Sequence, residues 1–221
     1  MKTIRICHLY GNLLNTYGDN GNLLMLQHYA KERGYHVETT LTSIGDDFRA
    51  EDFDLVFFGG GQDYEQKIIS HDAQRIATEL SRYIEKNGVL LAICGGFQLL
   101  GQYYVSAAGD KIQGIGVLPH YTERQINSRF IGDVEIYDEI NQQTYYGFEN
   151  HNGVTYLTEG LQPLGRVIKG NGNNGQDQTE GVHYKNVFGS YFHGPLLVRN
   201  EWLARHIVDL AIRNIEQKHN T

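Results

Sequence analysis

The apolar positions change their period along the chain, and the changes mark out its elements. Residues 3–9 read as a short strand, and the turn-rich stretch after it carries Gly11, Gly18 and Gly21. From about residue 20 to 33, Leu23, Leu24, Leu26, Tyr29 and Ala30 recur near helical spacing, and Gly34 stands where a C-terminal cap belongs. Residues 35–42 return to a strand pattern, and the run DFDLVFFGGG at 52–61 is almost wholly apolar until its three glycines. A helix is predicted from about 72 to 86, with Ile76, Ala77, Leu80 and Ile84 on one face and Gly88 beyond its end. Residues 54–58 and 88–93 do not alternate, which is the pattern of strands covered by helices on both sides.

This order predicts an α/β fold with a mainly parallel central sheet flanked by helices. From about 110 to 195 the chain becomes rich in Gly, Asn and Tyr with short alternating runs such as DVEIY, so a more antiparallel second half is predicted. The stretch GNGNNGQ at 170–176 reads as a mobile loop or hairpin tip. A last helix is predicted from about 200 to 217, with Leu203, Ile207, Leu210 and Ala211 as its stripe, Asn200 as N-cap and Glu201 in its first turn. With no linker or repeat in view, residues 1–217 are taken as one domain and 218–221 as a tail.

Composition narrows the function. A chain of 221 residues buries a core without metal or disulfide staples. Its net charge of −7 argues against a nucleic-acid partner. Two cysteines, Cys7 and Cys94, make no disulfide framework, and no run approaches the roughly 18 apolar residues of a membrane span, so a soluble cytoplasmic protein is expected. No cysteine–histidine cluster has zinc-ligand spacing, and no metal is expected.

The stretch GVLLAICGGFQLLG at 88–101 holds the candidate chemistry. An apolar strand runs into Cys94, Gly95 and Gly96 follow, and FQLL opens a helical pattern. A nucleophile elbow needs small residues around a sharp strand-to-helix turn, and a helix N-terminus favours thiolate over thiol. Position alone leaves Cys94 between a buried core thiol and a nucleophile, and the glycine pair favours the elbow. A thiolate nucleophile works with a histidine. His193, in GSYFHGP, should lie at a strand end, where open α/β sheets gather their sites. His151, in GFENHNG, is the second candidate, and its role is left open. The glycines of FFGGGQD, Gly60 and Gly61, together with the Gly95 N–H, would supply donors for an oxyanion. A simple turn or a phosphate loop is the alternative, although neither dinucleotide nor Walker spacing is present.

In this order and spacing, FFGGGQD, LLAICGGFQLLG, GFENHNG and GSYFHGPLL resemble the class I, or triad, glutamine amidotransferases of the cobyric-acid-synthase type. The opening LYGNLLNTYGDNGNLLML resembles, within that branch, the glutamine amidotransferase subunits of lipid II isoglutaminyl synthases. The resemblance implies a class I amidotransferase fold and hydrolysis of L-glutamine, with Cys94 as nucleophile and His193 as proton shuttle. It implies that Gln98 and Arg129 bind the substrate, Arg129 through the carboxylate. It also implies a heterodimer with a Mur-ligase-like synthase that uses ATP and Mg²⁺ to amidate the D-glutamate of lipid II, with no cofactor in this chain. Service to another synthase, for a corrin or other carboxylate, and a binding-only relative are the alternatives, and intact Cys94, His193 and glycine loop argue against the second. One departure stands out: many class I members place a glutamate two residues after the histidine, whereas here the sequence is His193-Gly194-Pro195. The orienting acid is therefore open between Asp19, Glu149 and a carboxylate of the partner.

Overall fold

The structure, a computed structural model, describes residues 2–219. In chain order the first half contains β1 (Thr3–Leu9), a 3-10 turn at Thr16–Gly18, α1 (Asn20–Glu32), β2 (His36–Thr42), β3 (Leu55–Phe58), α2 (Asp63–Ala73), α3 (Ala77–Glu85), β4 (Val89–Ile93) and α4 (Gly95–Leu100). Short strands follow: β5 (Tyr103–Val105), β6 (Lys111–Gln113), β7 (Tyr121–Arg124), β8 (Phe130–Asp138), β9 (Gln143–His151), β10 (Gly153–Tyr156), β11 (Gly165–Lys169), β12 (Thr179–Glu180), β13 (Val182–Tyr184), β14 (Val187–Ser190) and β15 (Phe192–His193). The short α5 (Leu196–Arg199) and the long α6 (Glu201–His219) close the fold.

The central sheet has the order β13-β14-β4-β3-β1-β2, parallel except for the β13–β14 hairpin. Its inner strands β3 and β4 are apolar on both faces for a visible reason. On β3, Val56 and Phe58 enter a core shared with α2, α3 and α4, while Leu55 and Phe57 enter the core built with α1 and α6. A five-stranded antiparallel sheet, β12-β11-β8-β9-β15, and a four-stranded one, β10-β7-β5-β6, make up the second half. The chain crosses between sheets at Tyr191: β14 pairs with β4 in the central sheet, and β15 pairs with β9 in the antiparallel one. His193 therefore sits where two sheets meet.

Four local expectations need correction. The helix predicted over 72–86 is α3 alone, preceded by a turn at 74–76, and a separate helix, α2, comes before it. That helix buries Gln66 and Ser70 beside Ile69 and Ala73, so its inward face is half polar and leaves no apolar period to read. Leu24 faces solvent, whereas Asn22 is buried on the inward face, where its Oδ1 accepts the Leu197 N–H at 2.8 Å. Asn200 does not cap α6 with its side chain. Its carboxamide bridges to β9, accepting from Tyr146 N at 2.9 Å and donating to Tyr146 O at 2.8 Å. The 170–176 stretch is anchored rather than free: Asn173 and Asn174 are buried, and Asn171 and Gly172 are held from beneath by Glu149. Helix α6 also runs into the proposed tail, as far as His219, and residues 220 and 221 lie outside the described residues.

Candidate active site

Strand β4 delivers Cys94 to the rim of a cavity of about 380 Å³. The residue has φ 47° and ψ −104°, a conformation that a side chain adopts only under constraint. The constraint is double. Its N–H donates to Ser190 O at 2.7 Å as the last link of the sheet, and its carbonyl accepts from Gln98 N at 2.9 Å as the first link of α4. Gly96 makes the turn possible, because a Cβ there would lie 2.6 Å from Phe58 O and 2.7 Å from Gly59 O. The result is a strand–nucleophile–helix elbow with the thiol half-buried at the cavity.

His193 and Asp19 lie behind the thiol. The His193 Nδ1–H donates to Asp19 Oδ1 at 3.2 Å, and both side chains are buried. Its Nε2 is buried with no hydrogen-bond partner among the described residues, free to serve the Cys94 sulfur beside it. Burial opposes a charge on this ring, but the hydrogen bonds and charge interactions it makes with Asp19 and Cys94 outweigh it and raise the imidazole to about 10.

Asp19 is positioned by the glycine loop. Its Oδ2 accepts the Gly60 N–H at 2.7 Å, and a Cβ on Gly60 would sit 2.7 Å from that oxygen, 3.3 Å from Cys94 Cβ and 3.4 Å from His193 Cε1. This corrects the expectation for Gly60: its N–H is spent on the acid and does not face an oxyanion. The Gly61 and Gly95 N–H groups have no partner among the described residues, and the two glycines lie side by side at the elbow. Glu149, the other acid considered, is engaged elsewhere. Its carboxylate accepts Asn171 N at 2.8 Å, Asn171 Nδ2 at 2.6 Å and Gly172 N at 2.9 Å, and lies 3.8 Å from His151 Nε2.

Gln98 lines the cavity from α4, but both ends of its carboxamide are taken. Its Oε1 accepts from Gln66 at 3.0 Å, and its Nε2 donates to the Tyr191 hydroxyl at 3.1 Å. His151 forms wall rather than base: its ring stacks on Tyr191 with centroids 3.6 Å apart, and Nδ1 bonds Gly153 O at 2.7 Å. Arg129 reaches the cavity rim from the loop before β8 and is held along one edge by Asn150. Tyr17, Asn150 and Tyr191 stand inside quoted motifs but were not legible as site residues, because a single polar or aromatic residue there carries no signal of its own, and Gln66 lies outside the motifs altogether. A further acid, Glu180, is buried behind the site, where its Oε1 accepts Tyr191 N at 2.7 Å and its carboxylate accepts the Ser190 hydroxyl at 3.2 Å.

The description "CobB/CobQ-like glutamine amidotransferase domain" belongs to a family model that matches residues 5–201. The chain is 57% identical over 210 residues to the lipid II isoglutaminyl synthase (glutamine-hydrolyzing) subunit GatD of Streptococcus pneumoniae, covering 95% of this chain and 81% of that one. It is 38% identical to the GatD subunit of Staphylococcus aureus, covering 96% of this chain and 85% of the other. Among solved structures, that of PurLQS from Thermotoga maritima superposes with a TM-score of 0.65 at 18% identity, over 97% of this chain and 99% of that one, a likeness of fold. By its elbow, its sheet order and these matches, the chain belongs to the CobB/CobQ-like glutamine amidotransferase family.

Proposed function

We propose that this chain hydrolyses L-glutamine through a thioester on Cys94 and passes the ammonia to a Mur-ligase-like, ATP-dependent synthase, which amidates the D-glutamate of lipid II. The line Cys94–His193–Asp19 at the cavity carries the hydrolytic part of the reading. The 57% identity to a lipid II isoglutaminyl synthase subunit supports the acceptor and the heterodimer.

The chemistry follows from the geometry. The Cys94 thiolate attacks the side-chain amide carbon of glutamine, and the C–S bond forms as the carbonyl π electrons move onto oxygen. The free Gly61 and Gly95 N–H groups are the donors available to that oxyanion. His193 Nε2–H protonates the departing nitrogen, the C–N bond breaks, and ammonia leaves a thioester. The imidazole, now neutral, takes a proton from water as the water attacks, and glutamate leaves with restoration of the thiolate–imidazolium pair. Asp19 holds the ring with Nε2 toward the sulfur throughout. Arg129 would pair with the substrate's α-carboxylate.

No helix among the described residues is long and apolar enough to cross a membrane. The proposal places the reaction in the cytoplasm, with ATP and Mg²⁺ on the partner. Glutamate release by the purified chain, alone and with the synthase, tests it. Full activity in a Cys94→Ser variant would sink the mechanism. Glutamine hydrolysis with no amidation of lipid II by the assembled pair would sink the acceptor.

A further inference from the structure

Among the cavity-lining residues of the motif GFENHNG, which the mechanism leaves unused, is Asn150 near the end of β9. We propose that Asn150 is a positioning residue that sets Arg129 and Tyr17 as one unit across the cavity, an inference that rests on the reading of this cavity as the glutamine site.

A carboxamide offers one acceptor and one donor group, and Asn150 spends each on a different side of the cavity. Its Oδ1 accepts Arg129 Nε at 3.1 Å, and its backbone carbonyl accepts Arg129 Nη2 at 3.1 Å. Its Nδ2 donates to the Tyr17 hydroxyl at 2.7 Å. The guanidinium is thus gripped along its Nε–Nη2 edge. The opposite end, with Nη1 unpartnered among the described residues, stays available for bidentate pairing with a carboxylate. An unheld arginine would have to lose its side-chain freedom on each binding event, whereas this one is ordered beforehand.

The other arm reaches the base. Tyr17 has φ 56°, and its ring stands edge-on to the His193 imidazole with centroids 4.8 Å apart. It is 54% exposed, so little packing keeps it there, and its hydroxyl bond to Asn150 is the polar contact that does. Tyr17, with Thr16 and Gln62, also stands between the cavity and an adjoining depression that Asn12, Asn15 and Glu65 complete. One side chain therefore couples the group that reads the substrate's carboxylate to the ring that covers the base.

Two thiol reagents separate this role from a merely structural one. Iodoacetamide reports the reactivity of Cys94 without needing carboxylate recognition, and a glutamine-mimicking alkylator needs both. The ratio of the two labelling rates at Cys94 is measured in the full chain, in Asn150→Ala, in Tyr17→Phe and in the double variant. In Asn150→Ala the ratio should fall about tenfold, the scale of a hydrogen bond to a charged group, and the KM for glutamine should rise more than kcat falls. Tyr17→Phe, which removes one oxygen, should lower the ratio in the same direction, and the double variant should be no worse than Asn150→Ala alone. A ratio within twofold of the parent in both single variants overturns the proposal, as do labelling rates that fall together. Should Asn150→Ala not fold, the Tyr17→Phe result decides. A parent chain that reacts with iodoacetamide but never with the glutamine mimic overturns the glutamine reading itself, and the proposal with it.

Discussion

Asp19 meets His193 across 174 positions of sequence, with Oδ1 3.2 Å from the imidazole Nδ1. A carboxylate thus stands at the imidazole Nδ1 although none follows His193 two residues on, and it comes from the turn before α1. Its two oxygens serve two donors, His193 Nδ1–H and the Gly60 N–H.

An Asp19→Asn variant has one acceptor where two are needed, so either the imidazole or the Gly60 N–H loses its partner. It also removes the carboxylate charge that holds the imidazole above its ordinary range. Steady-state glutaminase kinetics should show kcat lowered by roughly 100-fold or more, the scale of general acid–base catalysis, with a smaller change in KM. Because the acid lies in this chain, the isolated subunit should hydrolyse glutamine measurably without its partner. A fully active Asn variant would show that the contact does not orient the base.

How much of this was legible beforehand depended on the kind of residue. The uninterrupted apolar runs of β3 and β4 announced a sheet covered on both sides, and small residues around Cys94 announced the elbow, because packing leaves few alternatives at such places. Asp19 was one of three candidates, with Glu149 and a carboxylate of the partner, for the opposite reason. An acid just before a helix reads as an N-cap, yet here Asn15 Oδ1 accepts the Asn20 N–H while the Asp19 carboxylate turns inward. Helix α2 escaped because Gln66 fills an inward position to donate to Gln98 and the Gly95 carbonyl. The anchoring of 170–176 escaped because the holding group, Glu149, is some twenty residues away on another strand. Apolar burial has a period that can be read locally, whereas a buried polar pair depends on tertiary proximity, which has none.

The two thiols should differ sharply toward a glutamine-mimicking alkylator. Cys7 is wholly buried on β1 with its Sγ 3.4 Å from Thr42 Oγ1, and burial pushes its thiol up to about 12. Cys94 is half-buried at the cavity beside an imidazolium. Peptide mapping of the labelled native protein should find the adduct on Cys94 and none on Cys7. Modification of Cys7 in the folded chain would reverse the assignment of the two thiols.

Glu149 should matter for stability rather than for orienting the base. Burial works against its charge, but His151 and the donors of Asn171 and Gly172 hold the carboxyl below its ordinary range. A group depressed in the folded state adds stability above its unfolded value near 4.5, and that stability is lost as pH falls through the lower folded value. Glu149→Ala leaves the Asn171 and Gly172 donors unmatched in a buried site, at roughly 3 kcal/mol or more. For a chain of this length that lowers the melting temperature by about 6–12 °C at neutral pH. A melting point unchanged within error would mean that the 170–176 segment does not depend on this carboxylate.

Glu180 should give the opposite pH dependence. It is buried with no cation paired to it among the described residues, and burial raises its carboxyl to about 8, against the Tyr191 N–H and Ser190 hydroxyl and with the charge of Glu149 adding to the rise. Between about 4.5 and about 8 the folded chain then keeps a proton that the unfolded chain has released. Stability contributed by this group is full below about 4.5 and drains away as pH rises toward 8, by at most about 1.4 kcal/mol per pH unit. Glu180→Gln is neutral at every pH and fills nearly the same space. Denaturant midpoints at pH 5 and pH 8 should therefore separate the two proteins, the parent losing about 2 kcal/mol or more beyond what the variant loses. His193 also sheds stability as pH rises toward 10, but it does so equally in both, so the difference between them isolates Glu180. Parallel pH curves for parent and variant would mean that Glu180 is ionised in the fold. The Ser190–Tyr191 crossing, which accepts the Cys94 N–H and leads to His193, would then rest on a buried carboxylate, and replacing it with an amide would weaken the fold by the same amount at both pH values.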